Sequence, residues 1–408
     1  MRARTPVLVL AALLGSGAGW SAAANDPIGR VATLPAPPGA HWVWLGDMLM
    51  RRAALFDADA ASMRGMLSAG MGIVAPLTSP DRREIYLPET YWSRGTRGVR
   101  TDVVTVYDAT TLAPTAEIPI PPHRANHASG VAAAALSDDG SLLAVFNLTP
   151  ASSLSIVDVK AREFVAEIPT PGCSLVYGAG ARRFLMLCGD GAALAVVLDG
   201  QGRELRKDRS EPFFDPQQDP VTEKAARFRD QWLFVSFDGV VHPVDVGGDR
   251  LAFPETWPLV DETDRAASWR VGGTQHLTVH AASGRLYSLV HQGGPDSHKA
   301  PGREAWVYDV EKHARVQRIV LANPLMGWVR YALGLDDRDR MSRWISWLID
   351  EVLPNPGVDR ILVTQDAQPV LVTSTTFPST LGVHDAMSGK FLRDVSETGV
   401  AGGMLVAP

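Results

Sequence analysis

The ten histidines and two cysteines are the residues best suited to chemistry in this chain, and their spacing gives them little to do. His123 and His127 are four apart, but Pro121-Pro122 and Gly130 bracket them, so no shared helix face is available to hold a metal. His276 and His280 would fall on one face of a strand, a place for wall packing or a satisfied polar contact. His298-Lys299 sits in a Gly/Pro/Ser loop and reads as a surface or interface contact rather than a catalytic base. There is no Gly-x-Ser-x-Gly elbow, phosphate loop, His-Glu-x-x-His, Cys-x-x-Cys or Cys-x-x-Cys-His. No catalytic residue, metal ligand or cofactor-binding residue is therefore assigned in this chain.

The elements around these residues set the frame. The chain has 408 residues, 37 of them Gly and 29 Pro, so turns are frequent. Lys+Arg is 39 against Asp+Glu 45, a net charge of -6, which excludes a generally basic surface that coats nucleic acid. Residues 1–24 read as a secretory signal. Arg2 and Arg4 are its charged start, Pro6 to Leu14 its apolar run, and Ala22-Ala23-Ala24 its small-residue cleavage site. An uncleaved anchor is the alternative, but the run is shorter than the ~20 residues of a membrane span. Residues 25–408 are then the exported chain, expected in a bacterial periplasm and without membrane contact. In an oxidising compartment Cys173 and Cys188 either pair or remain as two buried thiols.

A repeat organises the rest. An apolar run ending in Asp recurs at Asp57, Asp108, Asp158, Asp199, Asp245, Asp309 and Asp385, with spacings of 51, 50, 41, 46, 64 and 76 residues. Turn residues follow, and the carboxylate of each Asp can cap the backbone of its turn. A polar turn and a second apolar run precede most copies, as in Ser137-Asp138-Asp139-Gly140 before Leu142 to Val145. Strands about every 10 residues without helical periodicity imply an all-β fold, a seven-bladed β-propeller of four-stranded blades.

The pattern breaks once, over 324–354. Met341, Trp344, Ile345, Leu348, Ile349 and Val352 fall at i, i+3, i+4, i+7, i+8 and i+11, an amphipathic helix. A first stretch, Trp328 to Leu335, precedes it across the charged run 336–340, so the segment reads as a helical hairpin or a bent helix inserted late in the propeller. It packs on its own propeller, docks a partner, or touches a membrane surface. Its mixed charge argues against a purely lipid-binding face.

The stretch Ser93-Arg94-Gly95-Thr96-Arg97-Gly98-Val99-Arg100 and its continuation through Asp108 resembles the methylamine dehydrogenase heavy chain, and much of it resembles aromatic amine dehydrogenase heavy chains. Asp138-Asp139-Gly140, Trp269 to Gly273, His298-Lys299 and the spacing of Cys173 and Cys188 fit the same family. The likeness runs from about Asp26 to Asp309 and resumes near Asp359; the 324–354 segment departs from it.

The resemblance implies the large subunit of a periplasmic α2β2 quinoprotein. Tryptophan tryptophylquinone and the catalytic base would lie in a small light chain. Primary amines would be oxidised to aldehyde and ammonia, with electrons passing to a blue-copper protein such as amicyanin or azurin. The heavy chain would hold the light chain and shape the substrate entrance. The family places a bulky residue after a Gly pair at the mouth of the substrate channel. Here the segment is Ala69-Gly70-Met71-Gly72, and Met71 takes that place, where Phe is common. It also implies a disulfide between Cys173 and Cys188. The alternatives are a periplasmic propeller that only binds a partner or ligand, with no amine oxidation, and a propeller hydrolase with His, Asp and Glu converging in its axial channel.

Overall fold

The computed structural model describes residues 33–34, 37–47, 49–72, 75–126, 131–335, 339–395, 398–399 and 401–408. The expected secretory segment, His127 and part of the 336–340 run lie outside them.

Seven antiparallel sheets follow one another along the chain, each a meander whose neighbouring strands are hydrogen-bonded. Blade two is Leu77–Thr78, Glu84–Trp92, Arg100–Asp108 and Pro114–Ile120. Blade three runs from Ala134 to Pro169, blade four from Cys173 to Arg209, blade five from Ala226 to Pro258, and blade seven from Arg360 to Val395. Blade six is longer. Trp269–Val271 and Leu277–His280 both pair with Arg285–Gln292, so its first strand is one path interrupted at Gly272-Gly273. Blade one closes the ring: the C-terminal strand Gly402–Val406 pairs with Trp42–Asp47, ahead of Arg52–Asp57 and Ser62–Ser68. Leu405 packs with Phe56 of blade one and Val372 of blade seven across the closure.

The first strands of successive blades touch one another, while the fourth strands are the most exposed, so the first strand is innermost. The two middle strands of most blades are almost wholly buried because apolar side chains on both faces meet the neighbouring blades. Trp44, Phe56, Phe184, Tyr287 and Trp306 are among the largest fully buried side chains. Each is worth about 1.5–3 kcal/mol of burial.

The seven signature aspartates end, or directly follow, the third strand of each blade. Each accepts backbone N–H groups from the turn that follows: Asp57 from Asp59 and Ala60, Asp108 from Thr110 and Thr111, Asp158 from Lys160 and Ala161. Asp199, Asp245, Asp309 and Asp385 do the same for Gln201, Gly247, Glu311 and Ser388. In most blades the turn then needs a left-handed residue, Ala61, Leu112, Arg162, His313 or Gly389. Three of these non-glycine positions put their side chains to use. Leu112 packs beside the core of blades one and two, Arg162 pairs with Glu84, and His313 stacks on Trp257 at 4.9 Å.

Because strands alternate in direction, the turns between second and third strands share one rim with the crossovers between blades. The aspartate turns occupy the other rim. The segment at Met71, the Arg-rich turn 93–99, the loop of His298 and the helical insertion all belong to the first rim.

The insertion is two helices, Pro324–Leu333 and Arg340–Val352, between blades six and seven. Gly334, left-handed at φ 63°, ends the first two residues before the expected Leu335. Asp339 caps the second by accepting the N–H of Ser342 at 2.7 Å. The first helix packs on the third strand of blade seven, with Met326 buried and Arg330 paired to Asp394 beneath it. The second packs on the first, with Ser346 buried, and leaves Met341, Trp344, Leu348 and Val352 exposed. Of the expected apolar stripe only Ile345 and Ile349 are partly covered, so the stripe does not serve as packing on the propeller.

Candidate functional site

Met71 lies on the crossover from blade one to blade two, half-buried, and the backbone around it is tightly held. Its N–H donates to the Thr90 carbonyl at 2.7 Å, and Arg124 Nη1 donates to its carbonyl at 3.3 Å. Gly70 is required by closeness: a Cβ there would stand 2.7 Å from the Thr90 oxygen. Gly72 is required by conformation, with φ at 115° and the Asn126 carbonyl 2.6 Å from where its Cβ would be. The two glycines thus set a bulky side chain on a ledge whose backbone has little freedom.

Under the ledge is a buried polar network built by two long strands of blade two. Strand alternation places Glu89, Tyr91, Thr105 and Tyr107 together on one face, and Thr90 opposite Asp102 on the other. Glu89 Oε1 accepts the N–H of Gly70 at 2.7 Å, and its other oxygen accepts the Thr105 hydroxyl. Asp102 takes Arg100 in a bidentate pair, at 2.9 and 2.7 Å, and the Arg124 N–H at 2.9 Å. Arg124 Nη1 also donates to Thr90 Oγ1 at 3.0 Å. Glu89 and Asp102 are 2% and 1% exposed, so these carboxylates depend on their partners.

Burial raises the Glu89 carboxyl above its ordinary range, against the opposing effects of Thr105, the Gly70 N–H, Tyr91 and Arg124. Burial lowers the Arg124 guanidinium to about 10, with Asp102 and Glu89 acting against the change. Burial, and then Glu89, push the phenols of Tyr91 and Tyr107 upward. The arrangement positions backbone. Its acceptors are occupied by this chain's own donors.

The other candidates are scattered. His123 Nδ1 lies 3.0 Å from both Glu167 oxygens. His276, fully buried with its pKa lowered to about 3 by burial, faces Thr222 at 3.1 Å, and His280 meets Ser283 at 2.7 Å. His298 stacks on Phe237 at 3.5 Å. Among the described residues no group of three or more His, Cys, Asp or Glu is placed to hold a metal. Cys173 and Cys188 face each other on neighbouring strands of blade four and form a disulfide. Arg209 Nη1 lies 3.1 Å from both sulfurs.

Residues 48–328 match the family described as methylamine dehydrogenase heavy chain (MADH). The chain belongs to that family. It is 26% identical over 382 residues to the methylamine dehydrogenase heavy chain of Paracoccus versutus, covering 92% of this chain and 80% of that one. It is 24% identical to the heavy chains of Methylophilus methylotrophus, covering 86% and 78%, and of Methylorubrum extorquens, covering 92% and 84%. Among solved structures, a protein of unknown function from Desulfotomaculum acetoxidans shares the fold at TM-score 0.56 and 11% identity, over 90% of this chain and 98% of that one. The Cps50 (Swd1) β-propeller domain of Myceliophteria thermophila does so at 0.55 and 8%, over 88% and 100%. A heavy-chain family member is an amine dehydrogenase subunit, and in this one the segment matched to the family contains the Met71 ledge and all of its buried supports.

Sequence reading singled out Met71 but missed the network beneath it. The available sign was a Glu inside the mostly apolar strand Glu84–Trp92, on the same face as a Thr and a Tyr of the next.

Proposed function

We propose that this chain is the large, non-catalytic subunit of a periplasmic quinoprotein amine dehydrogenase, with Met71 at the mouth of the substrate channel. Membership of the heavy-chain family across most of the propeller carries this reading. A small light chain would dock on this subunit in an α2β2 assembly and carry tryptophan tryptophylquinone, which supplies the two-electron oxidation of amine to aldehyde and ammonia. A blue-copper protein such as amicyanin or azurin would take the electrons.

Among the described residues, the Trp269–Trp306 pair does not fit the quinone. Trp269 and Trp306 stand 5.0 Å apart, but Arg318 lies over both rings and Arg315 over Trp306. Trp306 is fully buried and donates its Nε1–H to Glu304 at 2.8 Å. The pair is packing held by cations.

The chain's own contribution is then positional. Gly70 and Gly72 fix the ledge, Glu89 and Arg124 hold its N–H and C=O groups, and Met71 presents an adaptable apolar side chain to the passing amine. Discrimination at such a pocket is worth about 1–3 kcal/mol per methylene.

The test is purification of the tagged chain from its native host, followed by a visible spectrum and an amine-dependent dye-reduction assay. A small subunit should travel with the chain, bringing a quinone band and amine-dependent activity. Colourless, solitary protein without dye reduction would contradict the reading and favour a binding propeller.

A further inference from the structure

The second insertion helix, Arg340–Val352, presents an apolar face that none of the described residues covers. Trp344 is 56% exposed, Trp347 60% and Val352 77%, and Met341 and Leu348 continue the same stripe. These are bulky residues of the kind that anchor protein interfaces.

The charges on the helix point to the occupant. Asp339 caps its start, but within the helix Arg340 stands in the first turn, and Asp350 and Glu351 in the last. That order opposes the helix dipole, which favours acidic groups at the N-terminus and basic groups at the C-terminus. An antiparallel neighbour of the same sequence reverses the situation. It lays its acidic end beside Arg340 and its basic end beside Glu351, and the two dipoles oppose.

The geometry fits such a neighbour. Met341, Trp344, Leu348 and Val352 follow spacings of three, four and four, the seam of an interhelical contact. Arg340 and Glu351 are eleven residues apart, which at 100° per residue leaves them within about 20° of each other on one flank. With the two-fold axis near Ser346, Trp344 meets Leu348 of the second copy and Arg340 meets its Glu351. Both contacts occur twice, as an isologous interface demands.

We infer that the helix Arg340–Val352 pairs antiparallel with the same helix of a second copy of this chain, through Trp344 and Leu348 at the centre and Arg340 with Glu351 at each end. A 13-residue helix is only about 20 Å long, below the area of a stable independent interface. Association through it alone is weak and concentration-dependent, in the micromolar range, and is reinforced wherever two copies are already held in one assembly. The inference does not rest on the presence of a light chain.

Sedimentation velocity of the full chain over a concentration series provides the test, with four variants. Trp344→Glu should abolish the concentration-dependent dimer. Arg340→Glu and Glu351→Arg should each weaken it about tenfold, since each reversal sets two like-charge contacts. The double variant Arg340→Glu/Glu351→Arg should restore it, because both copies then carry the swapped pair. All four should keep the thermal stability of the parent, since the altered side chains are exposed. Failure of the double reversal to restore association would overturn the inference, as would a monomer at every concentration or a dimer indifferent to Trp344→Glu. Binding of the chain to anionic phospholipid vesicles, lost in Trp344→Glu and unaccompanied by self-association, would also overturn it and assign the face to a membrane surface.

Discussion

The crossover from blade one to blade two and the crossover from blade six to blade seven occupy equivalent places in the fold and are built in opposite ways. The first is short and pinned: two glycines pressed against backbone carbonyls, a peptide held at both N–H and C=O, and two carboxylates buried below. The second carries two helices and turns a row of large apolar residues outward. One stabilises a precise surface by contacts within the chain. The other has surface to give to another molecule. Changes beneath the first should therefore alter stability and selectivity, and changes on the second should alter association alone.

The largest effect is expected at Asp102. Asp102→Ala removes the carboxylate that pairs with Arg100, leaving it the Arg124 carbonyl at 2.6 Å, and orphans the Arg124 N–H, a loss of about 3–5 kcal/mol in denaturant unfolding. A loss under 1 kcal/mol would show the ledge to be less firmly founded than its contacts imply. Next is the disulfide on the same rim. Cys173→Ala/Cys188→Ala opens a loop with a sequence separation of 15 residues. It should lower stability by roughly 3 kcal/mol, read as a fall in the denaturation midpoint.

Glu89→Gln should have a smaller, pH-dependent effect. The folded-state pKa of Glu89 is raised, so its contribution is most favourable below the unfolded value and is lost as pH rises through the folded one. Gln keeps an acceptor for the Gly70 N–H and does not ionise. Relative to the parent, the variant should gain stability as pH rises from about 4 towards neutrality. A flat difference would mean that Glu89 does not titrate in this window. The signature aspartates act in the other direction. The pKa values of Asp108 and Asp385 are lowered chiefly by turn hydrogen bonds, so their support disappears as pH falls through the acidic range. The smallest effect is expected at Trp344. Trp344→Ala should leave unfolding free energy within about 0.5 kcal/mol of the parent, because the side chain is exposed.

The blades were readable because each aspartate acts on a turn within four residues of itself, and a local rule repeated seven times is visible in one dimension. The insertion helix was readable for the same reason, since its apolar period is local. What covers its face was not, because amphipathicity names a face and leaves its occupant open. The Glu89 network was hidden because its members come from positions 70, 89, 105 and 124, brought together only by strand register. His41 was hidden likewise. It reaches Asp59 of blade one at 2.8 Å and Asp366 of blade seven at 3.1 Å, a clip across the ring closure between residues 325 apart in sequence. Those two carboxylates hold its pKa up although burial acts to lower it.

The central claim is that the pinned ledge carries Met71 at the entrance for the amine, while the reaction belongs to another subunit. Its most direct test compares Met71→Phe with the parent, as the assembled enzyme, over a series of primary amines of increasing bulk. The ratios of kcat/KM along the series should shift by about tenfold or more against the bulkier amines, with the quinone band unchanged. Identical ratios in the two proteins would contradict the claim.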